Sequence, residues 1–165
     1  MLLICTASSG KNLQLAMRLQ ELAAEIGLPA EVLDLAENAL PLYSPQAEAE
    51  GTPEGFEAIE SQFQRARGFV FCAPEYNGSI PPVLTSAVAW LSVSGSDFRS
   101  LFNGKPVGLA THSGGGGQKV LVAMRLHFAH LGANVLGREL QTNRNKPLNE
   151  DSARNVLTQL AAQLG

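Results

Sequence analysis

Gly68-Phe69-Val70-Phe71-Cys72-Ala73-Pro74-Glu75-Tyr76-Asn77-Gly78-Ser79-Ile80-Pro81-Pro82 carries the reading of the whole chain. Its first five residues are an apolar, aromatic-rich run with the length of a buried strand, predicted over Phe69 to Ala73. The run empties into a turn of Pro, Asn and Gly. Behind the turn, from Val83 to about Val93, stands a helical pattern with prolines in its first turn. A stiff, amide-rich turn between a buried strand and a helix is where α/β proteins hold ligands.

Outward from this stretch the same strand-then-helix order repeats in both directions. Strands are predicted at Leu2 to Cys5, Ala30 to Leu35, Pro106 to Thr111 and Asn134 to Leu140. Helices are predicted at Asn12 to Ile26, Pro53 to Ala66, Gln118 to Leu131 and Glu150 to Leu164. The first helix has an apolar stripe through Leu13, Ala16, Met17, Leu19, Ala23 and Ile26, and Gly27 ends it as a C-cap would. Asn149 or Asp151 caps the last one. Leu40-Pro41-Leu42-Tyr43-Ser44-Pro45 reads as a loop. Strict alternation implies an α/β fold with helices on both faces of a five-stranded parallel sheet, and right-handed crossovers favour the order 2-1-3-4-5. Residues 1–165 read as one domain. In that order the loops after strands 1, 3 and 4 converge on one sheet edge.

Those loops are the chemically unusual ones. Thr6-Ala7-Ser8-Ser9-Gly10-Lys11-Asn12 places hydroxyls, a glycine and an amide at a helix N-terminus, a setting for a phosphate dianion or for an ordinary Ser-rich cap. It matches neither GxGxxG nor GxxxxGK[ST]. Pro74, Tyr76, Asn77 and Gly78 suit the edge of a flat, amide-rich ring. Ser113 precedes the consecutive glycines Gly114 to Gly117, more than a plain turn requires. Each costs about 0.5–1 kcal/mol of chain entropy relative to alanine, which points to close backbone approach or to a loop that moves.

Apolar residues make up 45% of the chain and charged ones 16%, which excludes a disordered protein. A net charge of −3 without a basic cluster argues against nucleic acid and anionic membrane as partners. Met1 to Cys5 lacks a basic flank and no stretch is long enough to span a bilayer, so a cytoplasmic location is expected. Cys5 and Cys72 lie in apolar strands without CxxC spacing and read as buried small hydrophobes. His112, His127 and His130 form no metal signature, and His127 with His130 reads as a helix-surface pair.

The run Pro74-Glu75-Tyr76-Asn77-Gly78-Ser79-Ile80-Pro81, followed by Leu84, Ala87 and Trp90-Leu91-Ser92, resembles the NADPH-dependent FMN reductases. Leu40-Pro41-Leu42-Tyr43 and Ser113-Gly114-Gly115 are similar to the corresponding loops of that family. The resemblance implies a flavodoxin-like three-layer sandwich and a flavoenzyme that takes a hydride from NAD(P)H as co-substrate. FMN would then pass electrons to a quinone, free flavin or similar small-molecule acceptor. It implies cofactor contacts from Ser8, Ser9, Gly10, Lys11 and Asn12 to the phosphate. The ring would lie against Pro74, Glu75, Tyr76, Asn77 and Gly78, its other edge near Ser113, Gly114 and Gly115. No side chain need act as acid or base, and Glu75 reads as a solvated loop charge. A homodimer or homotetramer is implied as well. The first loop is shorter than the family's and lacks its Arg, with Lys11 as the nearby cation. Thr85 and Ala89 stand where the family tends to place charges. A flavodoxin-type electron carrier and a relative that has lost FMN are the alternatives.

Overall fold

The computed structural model describes residues 1–164. Strand β1 (Leu2–Thr6) leads to helix α1 (Lys11–Glu25), β2 (Ala30–Asp34), the short helix α2 (Pro45–Ala49) and α3 (Phe56–Arg65). Then follow β3 (Gly68–Cys72), α4 (Pro82–Val93), β4 (Pro106–His112) and α5 (Gln118–His130). The strands β5 (Asn134–Val135) and β6 (Leu140–Thr142) precede the last helix, α6 (Glu150–Leu164). All strand pairings are parallel, in the order β2-β1-β3-β4-β5, with β6 also on β4. That is the predicted order, with helices on both faces.

The period of two along each strand divides the interior. Leu3, Cys5, Phe69 and Phe71 face α3, α4 and α5, where Phe63, Phe102 and Phe128 join them. Phe71 stacks on Phe128 with ring centroids 4.0 Å apart. Leu2, Ile4, Val70 and Cys72 point the other way, onto Leu15, Leu19 and Leu22 of α1 and Val156, Leu157 and Leu160 of α6. Cys5 and Cys72 are buried, as expected, on neighbouring strands. They belong to opposite faces of the sheet, so no disulfide can join them. Burial pushes both thiols well above their ordinary range, and they are inert.

Several boundaries differ from the sequence reading. The fifth strand is two short ones, because the chain leaves β4 at Leu136 and returns at Leu140. Arg125 of α5 stitches that break, donating to the Leu136 carbonyl at 2.7 Å and pairing with Glu139 at 2.7 Å. The proline loop ends in α2. Pro45 needs no N–H at the first helical position, and Ser44 accepts from Ala47 N–H at 3.1 Å as N-cap. Helix α3 starts at Phe56 rather than Pro53, because Gly55 is left-handed at φ 81°. On α1 the buried stripe runs through Asn12, Leu15, Ala16, Leu19, Leu22 and Ala23. Met17 and Ile26 are exposed and Leu13 only half-buried, so the predicted stripe was rotated partly toward solvent. Asn149, rather than Asp151, caps α6, accepting from Ser152 N–H at 2.8 Å.

Candidate functional site

The loop after β1 leaves α1 without a side-chain cap, since Gly10 stands at the N-cap position. The first turn of this 15-residue helix therefore has no side-chain cap, and Ser9 and Gly10 beside it are exposed. Buried Thr6 shapes the approach, its hydroxyl donating to the Ser8 carbonyl at 2.8 Å. The Asn12 side chain points inward. It donates to the His112 carbonyl at 3.0 Å and accepts from the His112 N–H at 2.8 Å, so both ends of the amide are spent on β4. Asn12 brings the first and third loops together, and only its backbone N–H remains for an anion.

The loop after β3 is a two-residue hairpin. Tyr76 and Ser79 exchange N–H and carbonyl hydrogen bonds at 3.1 and 2.9 Å. Asn77 at φ 50° and Gly78 at φ 75° supply the left-handed pair that a type I′ turn requires. Asn77 is the one non-glycine residue with positive φ among the described residues. The turn is rigid, and Tyr76 stands half-exposed on it. Lys119 lies alongside, its Cδ 3.3 Å from where a Gly78 Cβ would be.

Hydroxyl groups join this hairpin to the loop after β4. Buried Thr111 donates to the Ala73 carbonyl at 2.6 Å and sits 2.9 Å from the Ser113 hydroxyl. Thr111 has one proton, already given to Ala73, so Ser113 donates to Thr111. Ser113 is then the acceptor for the Glu75 N–H at 2.8 Å. The Glu75 carboxylate accepts from the Lys119 N–H at 3.1 Å and caps the first turn of α5. Glu75 thus caps α5 through an exposed hydrogen bond, a role added to the loop charge expected of it. The same accounting fixes His112. Thr142 donates its hydroxyl proton to the Thr111 carbonyl at 2.9 Å, so His112 Nδ1, 3.0 Å away, carries the hydrogen.

Gly117 makes the third loop possible. At φ 73°, a Cβ there would fall 2.6 Å from Thr111 Cγ2 and 2.7 Å from its Oγ1. Gly114 and Gly115 face open space, with nothing within 4 Å of an added Cβ. The four glycines thus divide the work. Gly117 permits internal packing, while Gly114 and Gly115 leave backbone exposed.

The named sequence positions, Ser8 to Asn12, Pro74 to Gly78 and Ser113 to Gly115, occupy neighbouring loops at the carboxyl edge of β1, β3 and β4. Gly117 of the four-glycine run holds them in place together with Thr111 and Lys119, which the sequence did not single out. A hydroxyl near a strand end and a lysine at a helix start are too common to mark these two. An uncapped helix start, a rigid aromatic-bearing hairpin and an open glycine backbone fit a flat ring linked to a phosphate.

This edge and strand order define a flavodoxin-like α/β fold. The sequence profile of the NADPH-dependent FMN reductases matches residues 1–145, and the chain belongs to that family. A quinone reductase of Escherichia coli K12 is 35% identical over 102 residues, covering 60% of this chain and 53% of the relative. A quinone reductase of Pseudomonas putida KT2440 is 31% identical over 105 residues, covering 63% of this chain and 53% of the relative. The chain therefore spans about half the length of the curated relatives it matches. Among solved structures, the flavoenzyme NAD(P)H:(acceptor) oxidoreductase of Paracoccus denitrificans superposes with TM-score 0.76 at 20% identity, over 99% of this chain and 94% of that one. A flavodoxin of Pseudomonas aeruginosa superposes with TM-score 0.64 at 18% identity, over 99% and 97%. At such identities these likenesses speak for the fold alone.

Proposed function

We propose that this chain is an NAD(P)H-dependent FMN oxidoreductase that hands electrons to a quinone, a free flavin or a similar small acceptor. The observation that carries it is the Glu75 to Ser113 hydrogen bond, which holds the hairpin and the glycine loop together beside the bare start of α1. Family membership adds weight.

Bound FMN would supply hydride acceptance from the nicotinamide and onward electron transfer. The protein's share is placement. Backbone amides of Ser9, Gly10 and Lys11 meet the phosphate, aided by the dipole of α1. The type I′ hairpin would offer amide groups and the Tyr76 ring to the flavin, and the open backbone at Gly114 and Gly115 would leave room for its approach. Glu75 is engaged on α5 and His112 Nδ1 on Thr142, so the chemistry is left to the flavin.

Residues 1–165 act as a single FMN-binding unit in this reading. Among the described residues no helix is long and apolar enough to cross a membrane, and a cytoplasmic location is consistent with that. Val122 and Leu126, exposed on α5, support assembly into a homodimer or homotetramer. The test is a visible spectrum of the purified chain after FMN addition and gel filtration. Retained flavin absorbance that bleaches with NADPH supports the reductase. Flavin that stays oxidised means an electron carrier, and no retained flavin ends the flavoprotein reading.

A further inference from the structure

The polar segment after β6 closes one wall of a cleft of about 430 Å³, and α1 forms the other. That size falls within the roughly 300–1,000 Å³ of small-molecule sites. Lys11, His112 and Arg144 line it together with the apolar groups of Leu15, Pro147 and Leu148. Lys11 links it to the first loop, because this residue also opens α1. The cleft is therefore the continuation of the anion site at the start of α1, on the face of the sheet away from the hairpin.

Its charges are unbalanced. Arg144 is exposed at the tip of a hairpin closed by Asn143 and Lys146, and it has no acidic partner among the described residues. Among the described residues Lys11 Nζ hydrogen-bonds only the neutral Gln14 amide, at 3.0 Å. His112 contributes Nε2, since Nδ1 is held by Thr142. Arg18 also borders the cleft, but Glu21 at 2.6 Å and Glu150 at 2.7 Å already match its charge. Two unmatched cations above an apolar wall suit an anion carried on a flat ring. Asn143 keeps its amide N–H₂ as a free donor for a ring nitrogen, because its Oδ1 is held by Asn145 N–H at 2.8 Å.

We propose that this cleft is an adenosine-phosphate subsite, in which Lys11 and Arg144 take the phosphate and Leu15, Pro147 and Leu148 take the adenosine. Two molecules could bring that group to this edge: the adenylyl half of a flavin dinucleotide continuing past the phosphate loop, or the adenosine-phosphate end of NADPH. The choice between these sources rests on the function proposed above, while the cleft itself does not. The cation missing from the first loop is thereby supplied from a segment more than a hundred residues away.

Calorimetric titration of the full chain, first saturated with FMN, with 5′-AMP, 2′-AMP and inorganic phosphate tests this. Either adenylate should bind at least ten-fold more tightly than inorganic phosphate. Arg144→Ala, which removes no side-chain hydrogen bond or ion pair among the described residues, should weaken adenylate binding by about ten-fold, the scale of a lost charge-assisted hydrogen bond. Preference for 2′-AMP identifies the nicotinamide donor as the source. Preference for 5′-AMP, with 5′-AMP displacing FAD but not FMN, identifies the flavin dinucleotide. Adenylate no tighter than inorganic phosphate, or binding undiminished in Arg144→Ala, overturns the subsite. If the chain fails to hold FMN, the proposed function falls, and the same titrations on the flavin-free chain still decide the cleft.

Discussion

Asn12 and His112 lie 100 residues apart and grip each other through both ends of one amide, at 3.0 and 2.8 Å. The amide ties the start of α1 to the end of β4, so the loops after β1 and β4 share one fixed spacing. Asn12→Ala should lower stability by about 1–3 kcal/mol, because it strands a part-buried N–H and carbonyl of His112. FMN affinity should fall with it. Urea unfolding and a flavin fluorescence titration measure the two effects, and unchanged values in both would remove Asn12 from this role.

Gly117→Ala should destabilise the chain by roughly 1–3 kcal/mol, since an alanine is strained at φ 73° and its methyl collides with Thr111. Gly114→Ala meets open space and should leave the unfolding midpoint within error, yet weaken FMN binding where the ring approaches the backbone. A Gly114→Ala protein that binds FMN as tightly as the parent would place the ring elsewhere.

Ser113→Ala removes the acceptor of the Glu75 N–H and the donor to Thr111 in one step. A loss of about 1–2 kcal/mol is expected in thermal or chemical unfolding. The hairpin should loosen, and hydrogen exchange at the Glu75 amide should rise more than at Val70 in the centre of β3. Equal exchange at the two positions would contradict the hydrogen bond from the Glu75 N–H to Ser113.

His127 supplies a pH test. Its Nε2 is buried with no hydrogen-bond partner among the described residues, and burial, with His130 nearby, lowers its pKa below the usual histidine range. The folded state thus resists a proton that the unfolded chain accepts. Stability is full above the ordinary histidine pKa of about 6.5 and is lost as the pH falls from there through the lower folded value. His127→Leu should gain about 1 kcal/mol at pH 7 by removing an unsatisfied nitrogen. It should also flatten the stability profile below about pH 6.5. A parallel decline in parent and variant would show that other groups set it.

The sequence alone determined the alternation of strands and helices, the parallel sheet in its order, and the loops that carry the site. These follow from signals between near neighbours: apolar runs such as Phe69 to Phe71, the Asn77-Gly78 pair, Gly27 behind α1 and Asn149 before α6. Only the tertiary structure decided what those residues do. Asn12 turned inward to β4, Glu75 became the cap of α5, and Arg125 bridged the break between β5 and β6. It also set Lys11, His112 and Arg144 around one cleft. Each of these roles depends on which strand ends lie side by side, and hence on packing between segments far apart in the chain. Periodicity and capping act over a few residues and carry no record of such partners.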